Sequence, residues 1–273
     1  MRISGLIFST CILALLAGCS SNGERTDVQV EETADVLYNR AAKALDDGEY
    51  IAATRDFEEV ERQHPYSKWA TQAQLMAAYA YFEGERYDEA VMSLDRFIEL
   101  HPGSSDIDYA YYLKALCYYR QISGVERDQG MSQDALTAFE SLIRRFPDSR
   151  YTRDATLKRD LVVDHLAGKE MEIGRYYLER NHLNAAINRF KSVIEKYQTT
   201  SHTAEALHRL VEIYVTLGLQ NEATQVAAVL GYNYPGSSWY ERSYALLDPQ
   251  QRQLVEDERG LVERSIESLL RPE

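Results

Sequence analysis

Basic residues are in short supply in this chain. Thirty lysines and arginines stand against 43 aspartates and glutamates, for a formal net charge of −13. Phosphate backbones are held by clustered Lys and Arg, so this balance excludes an electrostatic binder of nucleic acid. Cysteine is scarcer still, with Cys11, Cys19 and Cys117 the only three in 273 residues. There is no Cys-x-x-Cys pair, which removes the simplest zinc and redox motifs. Long apolar runs are missing too: the stretch Leu6 to Leu16 falls short of the roughly 20 residues a spanning helix needs, and no later stretch approaches it. Catalytic signatures are equally absent. The sequence contains no His-Glu-x-x-His, no glycine-rich phosphate loop and no Gly-x-Ser-x-Gly, and its six histidines are scattered. Acidic pairs such as Asp46-Asp47 and Glu58-Glu59 read as solvated helix faces. What remains is 45% hydrophobic and 27% charged, enough apolar material to bury a core.

The amino terminus reads as a leader. Arg2 supplies a short positive region, Leu6 to Leu16 an apolar one, and Leu16-Ala17-Gly18-Cys19 places small residues before a cysteine. This resembles a bacterial lipoprotein signal with its lipobox. The resemblance implies that residues 1–18 are a signal peptide, that Cys19 is lipidated, and that this covalent lipid is the only cofactor. Ser20 after the cysteine, where Asp resembles an inner-membrane retention signal, implies an outer-membrane address on the periplasmic face. Losing residues 1–18 removes Arg2 and no acid, so the charge of −13 becomes −14. Cys117 is then left without an intrachain partner, and in "KALCYYR" it reads as a buried, inert helix residue.

The body of the chain repeats. Ala53, Ala90, Ala135, Ala186 and Ala223, at spacings of 37, 45, 51 and 37, each lie twelve positions before a turn residue: Pro65, Pro102, Pro147, Gln198 and Pro235. Residues four and seven beyond each anchor are mostly apolar, giving one buried helical face per unit. Twelve positions before the anchors are Ala41, Ala78, Gly174 and Val211, with Ala115 matching if eight residues are inserted; these compact residues mark a partner helix. Gly48, Gly84 and Gly218 are placed to turn between the two. Pro cannot continue a helix and a Ser or Thr two residues later can cap the next, so "HPYS", "HPGS", "FPDS" and "YPGS" each close one hairpin and open another. The pattern resembles the tetratricopeptide repeat. It predicts an all-α fold, a superhelical stack of five such hairpins with a C-terminal capping helix.

Domain limits follow: a tether over 19–33, a three-repeat group over 34–147, one long helix with two repeats and the capping helix over 148–247, and a charged amphipathic extension over 248–273. The extension carries Leu254, Leu261, Ile266 and Leu269 on one stripe, which either packs on the last repeat or awaits a partner helix. First helices line the concave side in this repeat class, so Tyr38, Leu75, Tyr79, Phe82, Tyr109, Tyr112, Tyr119 and Arg120 either form an aromatic peptide groove or pack between helices.

The lipobox, five repeats, "RFPDSRYTRDA", the inserted "SGVERDQG", "GKEMEIGRYYLERN" and "AAINRFKSVIEKYQTT" together resemble the BamD family, lipoproteins of the outer membrane β-barrel assembly machine. The resemblance covers residues 19 to 247. It implies a non-enzymatic scaffold with no metal site. It also implies a set of partners: a BamA-like β-barrel protein bound through its POTRA domains, other assembly-machine lipoproteins, and unfolded barrel precursors carrying an aromatic-rich β-signal. Asn188 and Arg189 match the family pair that meets a BamA carboxylate; read alone, Arg189 is a solvated helix residue. Gln198 departs from the pattern by replacing a turn proline, which puts the exit angle of the fourth repeat in question. Two other classes stand beside this reading: an adaptor of a different periplasmic complex serving the cell wall or secretion, and an enzyme using Glu126, Arg127 and Asp128 of the insertion.

Overall fold

The computed structural model describes residues 32–257. Ten helices form five consecutive antiparallel pairs: α1 (Ala34–Asp46) with α2 (Tyr50–Gln63), α3 (Lys68–Glu83) with α4 (Tyr87–Leu100), α5 (Ile107–Arg120) with α6 (Gly130–Arg145), α7 (Thr152–Glu179) with α8 (Leu183–Lys196), and α9 (Thr203–Thr216) with α10 (Gln220–Asn233). A shorter helix, α11 (Ser238–Leu246), follows. The lipobox and Cys19 lie outside the described residues.

The repeat face is the core. Ala53, Phe57 and Val60 of α2 are fully buried, and so are Ala135, Phe139 and Leu142 of α6 and Ala186, Phe190 and Val193 of α8. Each set follows the i, i+4, i+7 spacing that brings three side chains onto one stripe. Ala41, Ala78, Ala115 and Val211 are buried on the facing first helices. In the first three hairpins α1 touches α3 and α3 touches α5, closer than the second helices there approach one another, so these first helices line the inner side.

The punctuation is uniform, and it does not depend on proline. His64, His101, Phe146, Tyr197 and Tyr234 end the second helices with φ between −127° and −136°. The backbone carbonyl of each accepts an N–H from the Ser or Thr three residues on, at 3.0 to 3.1 Å. Thr200 makes this bond after Gln198 as Ser149 does after Pro147. The turn with glutamine is further held by the Thr203 hydroxyl, which donates to the carbonyls of Tyr197 and Gln198. The hydrogen bond sets the fourth exit; proline only discourages alternatives.

Within hairpins, Gly48 and Gly218 take the left-handed conformation with φ of +77° and +73°. Gly84 does not. The left-handed residue there is Glu85, and at the corresponding point of the fourth hairpin it is Asn181, both with φ of +58°. Gly84 serves close approach instead: a Cβ on it would lie 3.1 Å from Tyr50 Cβ and 3.2 Å from the Ala80 carbonyl.

One unbroken helix of 28 residues, α7, runs from the third repeat into the fourth. At its middle it is gripped from both sides. Lys169 Nζ donates to the carbonyls of Glu126 and Arg127 at 3.0 and 3.2 Å, and Asp164 Oδ1 accepts from the Ser201 N–H and hydroxyl at 3.1 and 2.9 Å. Between them Gly168 leaves the gap that Val125 and His202 fill; a Cβ there would meet these side chains at 3.5 and 3.3 Å. The insertion thus serves as a clip through its backbone, while the side chains of Glu126, Arg127 and Asp128 stay exposed.

The C-terminal helix α11 packs on α9. His208 is buried and shares a 2.8 Å hydrogen bond with the buried Ser243 hydroxyl. Beyond it, residues 249–257 are helical. Asp248 and Gln251 bond each other's backbone N–H with their side chains, both at 2.8 Å, a reciprocal cap with Pro249 at the first helical position. Val255 reaches the core of the last repeat. This part of the extension therefore packs, although Leu254 remains half exposed; Leu261, Ile266 and Leu269 lie outside the described residues.

Burial holds the His208 imidazole below its ordinary value of 6.5. The unfolded chain binds that proton normally, so as pH falls below about 6.5 the unfolded state takes up protons the folded state refuses, and stability declines. Thermal unfolding at pH 7.5 and 5.5 is expected to show a midpoint that drops with acid, and a smaller drop in His208→Gln. Equal drops in both proteins would rule out His208 as the source.

Candidate binding sites

On the inner side, the predicted aromatic residues divide by burial. Tyr38 is packed between Phe57 and Trp69, with ring centroids 5.3 and 4.7 Å away. Leu75 and Phe82 are buried in the second hairpin's core. Tyr119 is half-buried against Phe139. Arg120 is exposed, with its guanidinium 5.9 Å from the Phe82 ring.

Two of the remaining three meet a residue outside the predicted set. Tyr109 and Tyr112, one helical turn apart on α5, meet the Tyr151 ring at 5.3 and 4.9 Å, the second pair nearly parallel. Tyr151 precedes α7 in the "RFPDSRYT" turn, so the turn itself delivers a ring to the inner face. Tyr79 stands on α3 close to Tyr109. All four rings are half-buried, as surfaces with one packed and one open side must be. Burial pushes the Tyr109 and Tyr112 hydroxyls well above their usual value, and for Tyr112 its hydrogen bond to Asp154 adds to this. Both therefore stay O–H donors at neutral pH. Burial opposes the ionisation of Asp154, but Lys158 and Tyr112 outweigh it and hold the carboxyl below its ordinary value. Arg150 lies over the Tyr151 ring at 4.8 Å. The result is an amphipathic aromatic face with a cation beside it, suited to apolar and aromatic side chains of an extended chain.

A second surface lies between α7 and α8. Ala185, Asn188, Arg189 and Ser192 occupy one stripe of α8, next to the buried stripe of Ala186, Phe190 and Val193. With Glu170 and Tyr177 of α7 they line a cleft of about 240 Å³. Asn188 is exposed and Arg189 half-buried, and Arg189 Nη1 donates to Glu170 Oε2 at 3.1 Å. Glu170, nineteen residues earlier and on another helix, falls within the stretch "GKEMEIGRYYLERN", but nothing in the sequence paired it with Arg189.

Among the described residues no group of three or more His, Cys, Asp or Glu is placed to share a metal ion. A stack of helical hairpins with an aromatic inner face and an arginine cleft is a repeat scaffold built for binding.

The chain belongs to the family of outer membrane lipoproteins described as YfiO, which matches residues 30–230. It is 49% identical over 243 residues to the outer membrane protein assembly factor BamD of Caulobacter vibrioides, covering 89% of this chain and 80% of that one. Against the assembly factor BamD of Rickettsia prowazekii it is 47% identical over 248 residues, covering 90% and 98%. It is an outer membrane protein assembly factor of this family. Among solved structures, the TPR2AB domain of yeast Sti1 in complex with pHSP90 superposes with a TM-score of 0.41 at 12% identity, over 86% of this chain and 88% of that one. No helix among the described residues is long and apolar enough to cross a membrane.

Proposed function

We propose that this chain is a periplasm-facing scaffold of the β-barrel assembly machine, held to the outer membrane by lipid on Cys19. Its C-terminal repeats dock a BamA-like barrel protein through POTRA domains at Asn188 and Arg189. Its inner face of Tyr79, Tyr109, Tyr112 and Tyr151, with Arg150 beside it, receives unfolded barrel precursors. Other lipoproteins of the machine share the scaffold, and no chemical step is assigned to it.

The observation that carries the docking site is the presentation of Arg189. A guanidinium on a solvated helix face usually contributes little. Here it is drawn into a cleft with a neighbouring exposed Asn188 and an apolar wall from Tyr177 and Ala185, where closure by a partner strips water and strengthens a charged hydrogen bond. Affinity purification from detergent-solubilised membranes tests it. The wild type is expected to bring down a barrel protein with POTRA domains, and folded Arg189→Glu to recover about tenfold less or none. Recovery of no such barrel protein with either would assign the repeats to a different periplasmic complex.

A further inference from the structure

Arg189 is not free on its helix. Its Nη1 approaches both carboxylate oxygens of Glu170, Oε2 at 3.1 Å and Oε1 at 3.4 Å. Both contacts use the same nitrogen. Nε and Nη2 form the other edge of the guanidinium, the one that grips a carboxylate with two parallel bonds. No described residue accepts from that edge. Glu170 is the more sheltered partner, its side chain 20% exposed against 41% for Arg189, and its charge lies near enough to Tyr197 to help raise that hydroxyl's pKa, after burial. The carboxylate is thus set into the α7 side of the cleft, while the arginine spans toward it from α8.

We infer that Glu170 is a positioning residue for partner docking: it holds Arg189 by Nη1 so that the Nε and Nη2 edge is aimed into the cleft, where a carboxylate of the docked protein binds side-on. The inference rests on reading the Arg189 cleft as the docking site. A long side chain loses rotamer freedom when a partner fixes it. Glu170 has already imposed that order in the free protein, so less remains to be lost on association. The incoming carboxylate need not displace Glu170, because the two acids use different nitrogens of one planar donor set. The arrangement also discriminates: a basic partner group meets an arginine, and a neutral one leaves the open edge unsatisfied as the cleft closes.

The test is a double-mutant cycle with full-length protein in detergent, titrated with the barrel protein that the wild type recovers. Glu170→Gln keeps the shape and removes the charge. Arg189→Ala is expected to weaken binding by about thirtyfold and Glu170→Gln by about fivefold. In the Arg189→Ala background, Glu170→Gln is expected to cause no further loss, since an aiming residue has nothing left to aim. With Arg189→Ala impaired, a Glu170→Gln protein that binds as tightly as wild type, or tighter, overturns the positioning role and makes Glu170 a bystander or competitor. A fivefold loss that persists in the Arg189→Ala background also overturns it, and marks a role in the fold. If Arg189→Ala binds like wild type, the docking site itself is wrong and the inference falls with it. Circular dichroism and thermal unfolding of all four proteins separate binding losses from folding losses.

Discussion

Phe190→Ala is expected to destabilise the C-terminal repeats by about 3–5 kcal/mol, the usual cost of removing a fully buried ring from a core that cannot collapse around the gap. The ring is fully buried, and its seat was made for it. On the facing helix stands Gly174, where a Cβ would lie 2.5 Å from Phe190 Cε1 and 2.9 Å from Cδ1 and Cζ. No side chain fits there. A glycine inside a helix costs roughly 1 kcal/mol against alanine, so α7 carries that penalty to bring its backbone against the ring. The converse follows. Gly174→Ala improves helix propensity yet is expected to destabilise by about 1–3 kcal/mol through overpacking. Once Phe190 is alanine, Gly174→Ala should instead recover roughly 1 kcal/mol, because the obstruction is gone and only the propensity gain remains. Urea unfolding followed by circular dichroism gives all three values. A Gly174→Ala that stabilises the otherwise unchanged protein would refute the close contact.

Gly168→Pro is expected to cost about 3 kcal/mol or more and to divide one unfolding transition into two. Proline inside a helix removes one backbone hydrogen bond and its ring collides with the preceding turn. At this position it also strikes the point where Val125 and His202 converge. The larger consequence concerns cooperativity. In stacked repeats, stability is approximately a sum of unit terms and nearest-neighbour terms. Here a single helix belongs to both neighbours: α7 packs against α6 and against α8. Melting either half exposes the other, which ties the two repeat groups into one transition. Scanning calorimetry of the variant should resolve a separate transition for each group, and a single unshifted transition would show that the tie lies elsewhere.

Much of this architecture was legible because it is periodic. The core stripes of α2, α6 and α8 could be read residue by residue, since burial repeats at helical spacing whatever lies around it. Cys117 is buried as expected, and burial raises its thiol to about 12. Long-range matters were not legible. Nothing near Lys169 announces that two carbonyls from a loop over forty residues earlier will bind it, and nothing near Arg189 points to Glu170. Gly84 lies in its turn as expected, but which residue there is left-handed was not legible: it is Glu85, while Gly84 is kept for contact with Tyr50. The tyrosines of the inner helices could be counted but not sorted, because the same ring at the same spacing is core in Tyr38 and surface in Tyr112. Only the neighbours decide, and for Tyr112 the decisive neighbour, Tyr151, came from a turn.

The continuity of α7 sets a ruler. Asp154, at the edge of the aromatic face, and Glu170, in the arginine cleft, belong to one helix, sixteen residues or about 24 Å apart along its axis. Whatever the aromatic face and the arginine cleft hold is then kept at a separation counted in residues. The same count sets their phase, since each residue turns the helix by about 100°. Evolution could lengthen this spacer by about one turn while leaving both faces nearly in register; half a turn would point one of them away.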